Sequence, residues 1–222
     1  MIKAPTGPQP PRTEPVVLPT LTDVESMPET RSDVREAERY VGIDLNGSDL
    51  EFWSFTDCEV RQAGLDETRL RGSRLSEVIM GEIDAAVFSA PRTSWRNVEV
   101  TGSRLGSAEL YASTWRSVTI AGSKINYLNA RTADWQDVRF TDCTLDELDL
   151  SDATVTRLAF TDCRIGTLTL GGARLTDVDL RDVRLEMING LAGLAGAWVS
   201  ESQLVELAPL LAAHLEIRVS TD

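Results

Sequence analysis

Every fifth residue from Leu45 to Leu185 is apolar, twenty-nine positions in succession without a slip. Leu50, Phe55, Leu75, Trp95, Trp115, Trp135, Phe140, Phe160 and Leu180 belong to the series. With 42% hydrophobic residues in the whole chain, chance produces such a run with a probability of about 10^-11. Neither a helix of 3.6 residues per turn nor a strand of period two repeats every five residues, so each unit is a short extended step followed by a bend. Side chains two apart in an extended step share a face, which makes the residue two before each apolar centre a second inward position. From Thr93 onward this position alternates between small and aliphatic side chains, as in Ser113, Val118, Ser123, Leu128, Ala133, Val138, Cys143 and Leu148, with Ser103 and Ala108 the one loose pair. The unit in that half is therefore ten residues.

The bulky residues repeat over a longer interval. Trp95, Trp115 and Trp135 are twenty apart, as are Phe140 and Phe160, and Thr141-Asp142-Cys143 returns as Thr161-Asp162-Cys163. Twenty residues make one coil of four sides, with like residues stacked at the parallel-strand spacing of about 4.8 Å. About seven coils follow, in a rod roughly 34 Å long.

The ends break the pattern. Seven of the nine prolines, among them Pro8, Pro10, Pro11, Pro15 and Pro19, fall in the first 28 residues, which excludes a regular helix or central strand there. Residues 1–40 are expected to form a flexible or loosely docked arm, with a short capping helix over residues 32–39. After Leu185 the period dissolves around Gly190, Gly193 and Gly196. Ser200 with Gln203 makes a capping-box pattern, and Leu204, Leu207, Leu210, Leu211 and Leu215 supply an apolar helical stripe. Residues 191–222 thus predict a helical cap or dimerisation segment, kinked or split at Pro209, with Ile217–Val219 as a final strand.

Ser151-Asp152-Ala153-Thr154-Val155 and Gly172-Ala173-Arg174-Leu175 resemble the pentapeptide-repeat family, whose consensus is a small residue, Asp or Asn, Leu or Phe, then two variable residues. The resemblance spans residues 41–190 and implies an all-β solenoid, a right-handed quadrilateral β-helix. It also implies non-catalytic binding, since some members act as DNA mimics on DNA gyrase and confer quinolone resistance, and in those a C-terminal helical segment joins two rods as a homodimer.

Composition narrows the partner. A net charge of -13 and a pI near 4.6 argue against direct nucleic-acid binding and against anionic membranes, both of which need excess Lys and Arg. Residues 41–190 hold 24 acidic and 16 basic side chains, a net of -8, against about 20 negative charges on a duplex of the rod's length. The charge match to DNA is partial. No run reaches the ~18 apolar residues of a membrane span, and the first residues lack the apolar core of a signal peptide, so a cytoplasmic location is expected. Cys58, Cys143 and Cys163 suit a reducing compartment.

Candidate chemistry is sparse. His214 is the only histidine, so no Ser-His-Asp or Cys-His arrangement can be built elsewhere. Cys143 and Cys163 occupy the small inward position and read as buried thiols. The three glycines after Leu185 have neither dinucleotide nor Walker spacing. No enzyme, cofactor or metal is expected. Function is instead written on outward positions. Asp142, Asp162 and Asp182 share one phase of the twenty-residue period, and Arg104, Lys124, Arg164 and Arg184 share another two residues on. Like charges stacked at ~4.8 Å repel by roughly 1 kcal/mol in water, so the two ladders should lie side by side and partly neutralise. Asp142, Asp146, Glu147, Asp149 and Asp152 form the densest acidic stretch and the candidate docking patch. Phe52, Tyr111 and Tyr127 fall in outward phases.

Overall fold

The computed structural model describes residues 7–26 and 34–220. Its strands run parallel and stack at a constant register of twenty, as in Trp95↔Trp115, Trp115↔Trp135 and Phe140↔Phe160. The larger sheet climbs from Thr22–Asp23 and Glu38–Val41 through Ser54–Arg61, Arg74–Gly81, Ser94–Thr101, Thr114–Ala121, Asp134–Thr141, Thr154–Thr161 and Arg174–Asp179 to Ala197–Trp198. The second sheet stacks Asp84–Ser89, Arg104–Glu109, Lys124–Asn129, Thr144–Asp149, Cys163–Thr169 and Val183–Asn189. The solenoid has about eight turns. It exceeds the period-based seven because a layer of strands, Val34–Glu36 and Glu38–Val41, forms before the apolar series begins. These strands stand where a capping helix was expected over residues 32–39; Ser32 and Asp33 lie outside the described residues. Pairing with Ser54–Arg61 satisfies their backbone better than an isolated short helix would.

Corners recur every five residues. Asp57, Glu77, Asn97, Ser117, Asp137, Arg157 and Asp177 each take a left-handed φ of 50° to 60° at one corner, inside strands that bend there. Among the described residues the corner through Val87, Ser107, Tyr127, Glu147 and Thr167 keeps negative φ, whereas Gly47 and Glu67 in the same column do not. The second sheet therefore starts only at Asp84.

Both inward series are buried apart from the half-buried Ser48, Ala173 and Leu185, and the second is buried from Ile43 on, well before its alternation becomes regular. Its small polar members have a backbone task. Thr68 and Ser73 donate from their hydroxyls to the carbonyls of Leu45 and Leu50 one coil away, and Ser103 and Ser123 donate to Thr101 and Ala121. A small hydroxyl satisfies a buried corner carbonyl that a larger apolar side chain would leave bare. Trp95, Trp115 and Trp135 stack with centroids 4.7 and 4.3 Å apart and planes within 14°, and Phe140 stacks on Phe160 at 5.1 Å.

The top of the rod is closed by the turn Leu191–Leu194 and by Ala197–Trp198, which pairs with Val178–Asp179. Helix α1 (Glu201–His214) follows, capped reciprocally by Ser200 and Gln203. Gln203 also donates to the carbonyls of Leu180 and Val183, fastening the helix to the last coil. Pro209 neither splits nor ends α1; the carbonyl it leaves unbonded belongs to Val205, which is exposed to water. Residues 217–219 form no strand.

Candidate functional site

Because the interior is filled by side chains, the outer surface carries whatever this rod recognises. One side of each coil consists of two inward residues around one outward residue, and each corner adds two more outward residues. A column of outward side chains therefore repeats every twenty residues.

The acidic stretch from Asp142 to Asp152 does not form one patch. Asp142 lies at one corner, Asp146 and Glu147 at the next, and Asp152 at a third, because five residues turn the chain by one side. Asp149 is a correction to the expected set, being only 2% exposed. It accepts hydrogen bonds from the N–H and hydroxyl of Ser151 and an ion pair from Arg131 at 2.7 Å. Burial works to raise its carboxyl, yet Ser151 and Arg131 outweigh it and hold it below the ordinary carboxylate range. Asp149 is a turn cap. Asp142, Asp162 and Asp182 do share one exposed column.

The expected neutralisation of that column by its neighbour does not appear among the described residues. Arg164 pairs with Glu186 instead, and Arg181 with Asp179 at 2.7 Å. Arg104, Lys124, Thr144, Arg164 and Arg184 form the in-register neighbouring column. Between this corner and α1 opens a cleft of about 700 Å³, lined by Arg164, Asp182, Arg184, Met187, Gln203 and Leu210 among others.

Of the helical stripe, Leu207 is buried and Leu211 half-buried against the core. Leu204, Leu210 and Leu215 are 51%, 48% and 65% exposed, beside Val205 at 74% and Met187 at 56%. The cap uses one edge of the helix and leaves an apolar strip outside.

The buried thiols continue a hydroxyl column. The N–H of Ile83 donates to Ser103 Oγ and that of Ser103 to Ser123 Oγ; two coils on, the N–H of Cys143 meets Cys163 Sγ at 3.4 Å. Contact with Cys163 and burial push the Cys143 thiol up, and burial does the same for Cys58. All three cysteines are free. Among the described residues no group of His, Cys, Asp and Glu is placed to hold a metal ion, and His214 is exposed in the last turn of α1.

Of the two expectations for the arm, flexible or loosely docked, residues 7–26 take the docked one, with contacts that sequence reasoning missed. The arm's backbone descends one corner of the rod. The N–H of Arg12 donates to Asp137 Oδ1 at 2.9 Å, that of Val16 to Glu99 Oε1 at 2.8 Å, and Thr22–Asp23 then pairs with Glu38–Arg39. Pro11 and Val16 are buried against the rod. The two N–H groups that dock on carboxylates each follow a proline, and the prolines at 11, 15 and 19 recur every four residues, which was the available signal. Asp137 is held bidentately by Arg157 at 2.5 and 2.7 Å. Burial opposes the charge, but Arg157 and the Arg12 N–H hold this carboxyl below its usual range.

With this geometry in place, residues 140–184 match the family model for pentapeptide repeats (9 copies). That segment is built of pentapeptide repeats. Solved structures that the chain matches include HetL, a pentapeptide-repeat protein involved in heterocyst differentiation regulation from the cyanobacterium Nostoc sp. strain PCC 7120. The two are 18% identical, over 76% of this chain and 90% of that one, with a TM-score of 0.39. QnrB1, a plasmid-mediated fluoroquinolone resistance protein, is 13% identical over 85% of this chain and 99% of that one, with a TM-score of 0.35. No curated protein matches the chain. In such a rod the repeat residues are the core residues, so the repeat accounts for the interior and leaves the exterior to define the partner.

Proposed function

We propose that this pentapeptide-repeat protein is a non-catalytic docking rod for a protein partner, and that the partner is a type II topoisomerase, DNA gyrase. The supporting observation is the exposed column of Asp142, Asp162 and Asp182, whose carboxylates repeat along the rod axis without ion-pair partners among the described residues. A row of this kind offers a nucleic-acid-binding groove the charge it accepts from phosphates. Mimicry is then confined to this corner, since the column beside it, Arg104, Lys124, Arg164 and Arg184, is basic. Supercoiling by purified gyrase, with and without a quinolone, is the test. Micromolar protein should inhibit supercoiling or relieve quinolone inhibition, and Asp142→Asn/Asp162→Asn/Asp182→Asn should lose most of that effect. Gyrase unaffected by the unaltered protein removes this reading.

The exposed Leu204, Leu210 and Leu215 support a homodimer through α1, because an apolar strip at one end of a closed rod is covered when two copies meet. Sedimentation should give a dimer that Leu204→Ser/Leu210→Ser converts to a monomer; a monomer throughout the micromolar range overturns it. The three free thiols support a cytoplasmic setting, and no helix of the described residues is long and apolar enough to cross a membrane.

A further inference from the structure

A second feature of the exterior has the opposite sign from the chain as a whole. The side of the rod formed by residues 71–76, 91–96 and 111–116, three successive coils with their flanking corner residues, carries five arginines and no carboxylate. Register fixes their arrangement. Arg74 lies in register with Ser94 on the next strand, and Ser94 with Thr114 on the one after, while Ser76, Arg96 and Arg116 stack in the next outward column. Arg71 and Arg92 occupy the adjoining corner, below the 39% exposed Tyr111. Arg116 is engaged by Asp134 at 2.7 Å. Arg71, Arg74, Arg92 and Arg96 are exposed, and among the described residues none of them has a carboxylate partner.

Three nearby acids are already committed. Glu77, round the corner, accepts from Asn97; Glu99 accepts from Val16 of the arm; Asp149 holds Arg131. Arg96 therefore stacks on Arg116 with no anion between them, an arrangement that costs stability in an isolated rod and is relieved by a bound carboxylate.

We infer that this arginine-bearing side is a docking surface for a short acidic peptide segment of a partner protein. Arginine forks pair with carboxylates in a planar, bidentate way, and Tyr111 at the rim supplies an aromatic contact of the kind enriched at protein interfaces. Length selects a peptide over a nucleic acid. The basic stretch is three coils tall, about 10 to 14 Å, and is bounded by Glu51 below and by Asp134 and Asp152 above. A phosphate backbone continuing along the axis meets those carboxylates and the net charge of -13, whereas a short acidic segment crossing the rod meets only the arginines. This surface lies on a different side from the Asp142–Asp162–Asp182 corner and does not depend on gyrase being the partner.

Fluorescence anisotropy at low salt tests it, using the full-length protein, a labelled peptide of alternating glutamate and serine, and a labelled single-stranded oligonucleotide. The peptide should bind more tightly than the oligonucleotide. Arg71→Ser/Arg74→Ser/Arg92→Ser/Arg96→Ser should weaken peptide binding about tenfold, as expected for four exposed ion pairs. The charge-matched control Arg104→Ser/Lys124→Ser/Arg164→Ser/Arg184→Ser should leave it within about twofold. No binding by the peptide, equal loss in both variants, or tighter binding of the oligonucleotide each overturns the proposal. The substituted arginines are exposed, and circular dichroism of both variants verifies that the strands are retained. Gyrase activity is not a readout, so this surface and the acidic corner fail or stand separately.

Discussion

Inside the rod and outside it, the same twenty-residue register has opposite energetic consequences. Within, it brings Trp95, Trp115 and Trp135 into contact at 4.7 and 4.3 Å, where like side chains gain from stacking. Without, it brings like charges to the same spacing, where they repel. The interior accordingly repeats and the exterior varies. Where charges do stack, they alternate or are diluted: Arg157 lies beside Asp137, Glu59 between Arg39 and Arg61, and Asn129 donates to Glu109. The exceptions, the carboxylate column at residues 142, 162 and 182, the basic pairs Arg104–Lys124 and Arg164–Arg184 beside it and the arginine side at residues 71–96, are positions where the fold accepts repulsion. Those are the places to look for a partner.

The sharpest way to break this contrast is to remove a stacked core residue. Trp115→Ala should cost about 3–5 kcal/mol in chemical denaturation. Trp115→Phe should cost much less, since it keeps a ring in the stack and removes an indole N–H that has no hydrogen-bond partner among the described residues. If both variants lose equally, ring stacking is not what the column contributes.

Next in size is the alternating pair at the arm's docking site. Arg157→Ala should destabilise by about 2 kcal/mol, read by denaturant titration at neutral pH. The folded-state carboxyl of Asp137 is held below its unfolded value of about 3.9. Its contribution is therefore complete above that value and is lost as pH falls through the lower, folded-state one. In the variant this support is absent, so acid unfolding should begin at higher pH than in the unaltered protein.

A smaller effect is expected at the junction of rod and cap. Ser200→Ala removes the side-chain acceptor for the Gln203 N–H and should cost about 1 kcal/mol, seen as a lower midpoint of thermal unfolding. Least of all, Asp162→Asn should change stability by no more than about 0.5 kcal/mol, in the stabilising direction, because it removes a stacked like charge. A loss of 1 kcal/mol or more there would show that the carboxylate column holds the fold together and is not free for recognition.

How much was legible follows from which interactions are local. Twenty-nine apolar residues at a fixed interval are a strong signal because each must point to one axis. The tryptophan stack, the buried thiols and the Ser200–Gln203 cap all followed from spacing. The strands at 34–41 were hidden because nothing in their own sequence distinguishes a first coil from a short helix; pairing with 54–61 does. Pro209 signalled a kink or a split, but a split is required only where the freed carbonyl cannot reach water. Asp149 read as surface acid because proximity in sequence to Asp146 and Asp152 says nothing about direction when five residues turn the chain by one side.

By itself, then, the order of residues determined the repeat, the axis and the filling of the core, since period and polarity act along the chain and need no partner. Only the folded rod decided which charges meet and which are left alone. That outcome depends on neighbours twenty residues away in a coil and more than a hundred away along the arm, where Arg12 finds Asp137, and no local pattern encodes such distances.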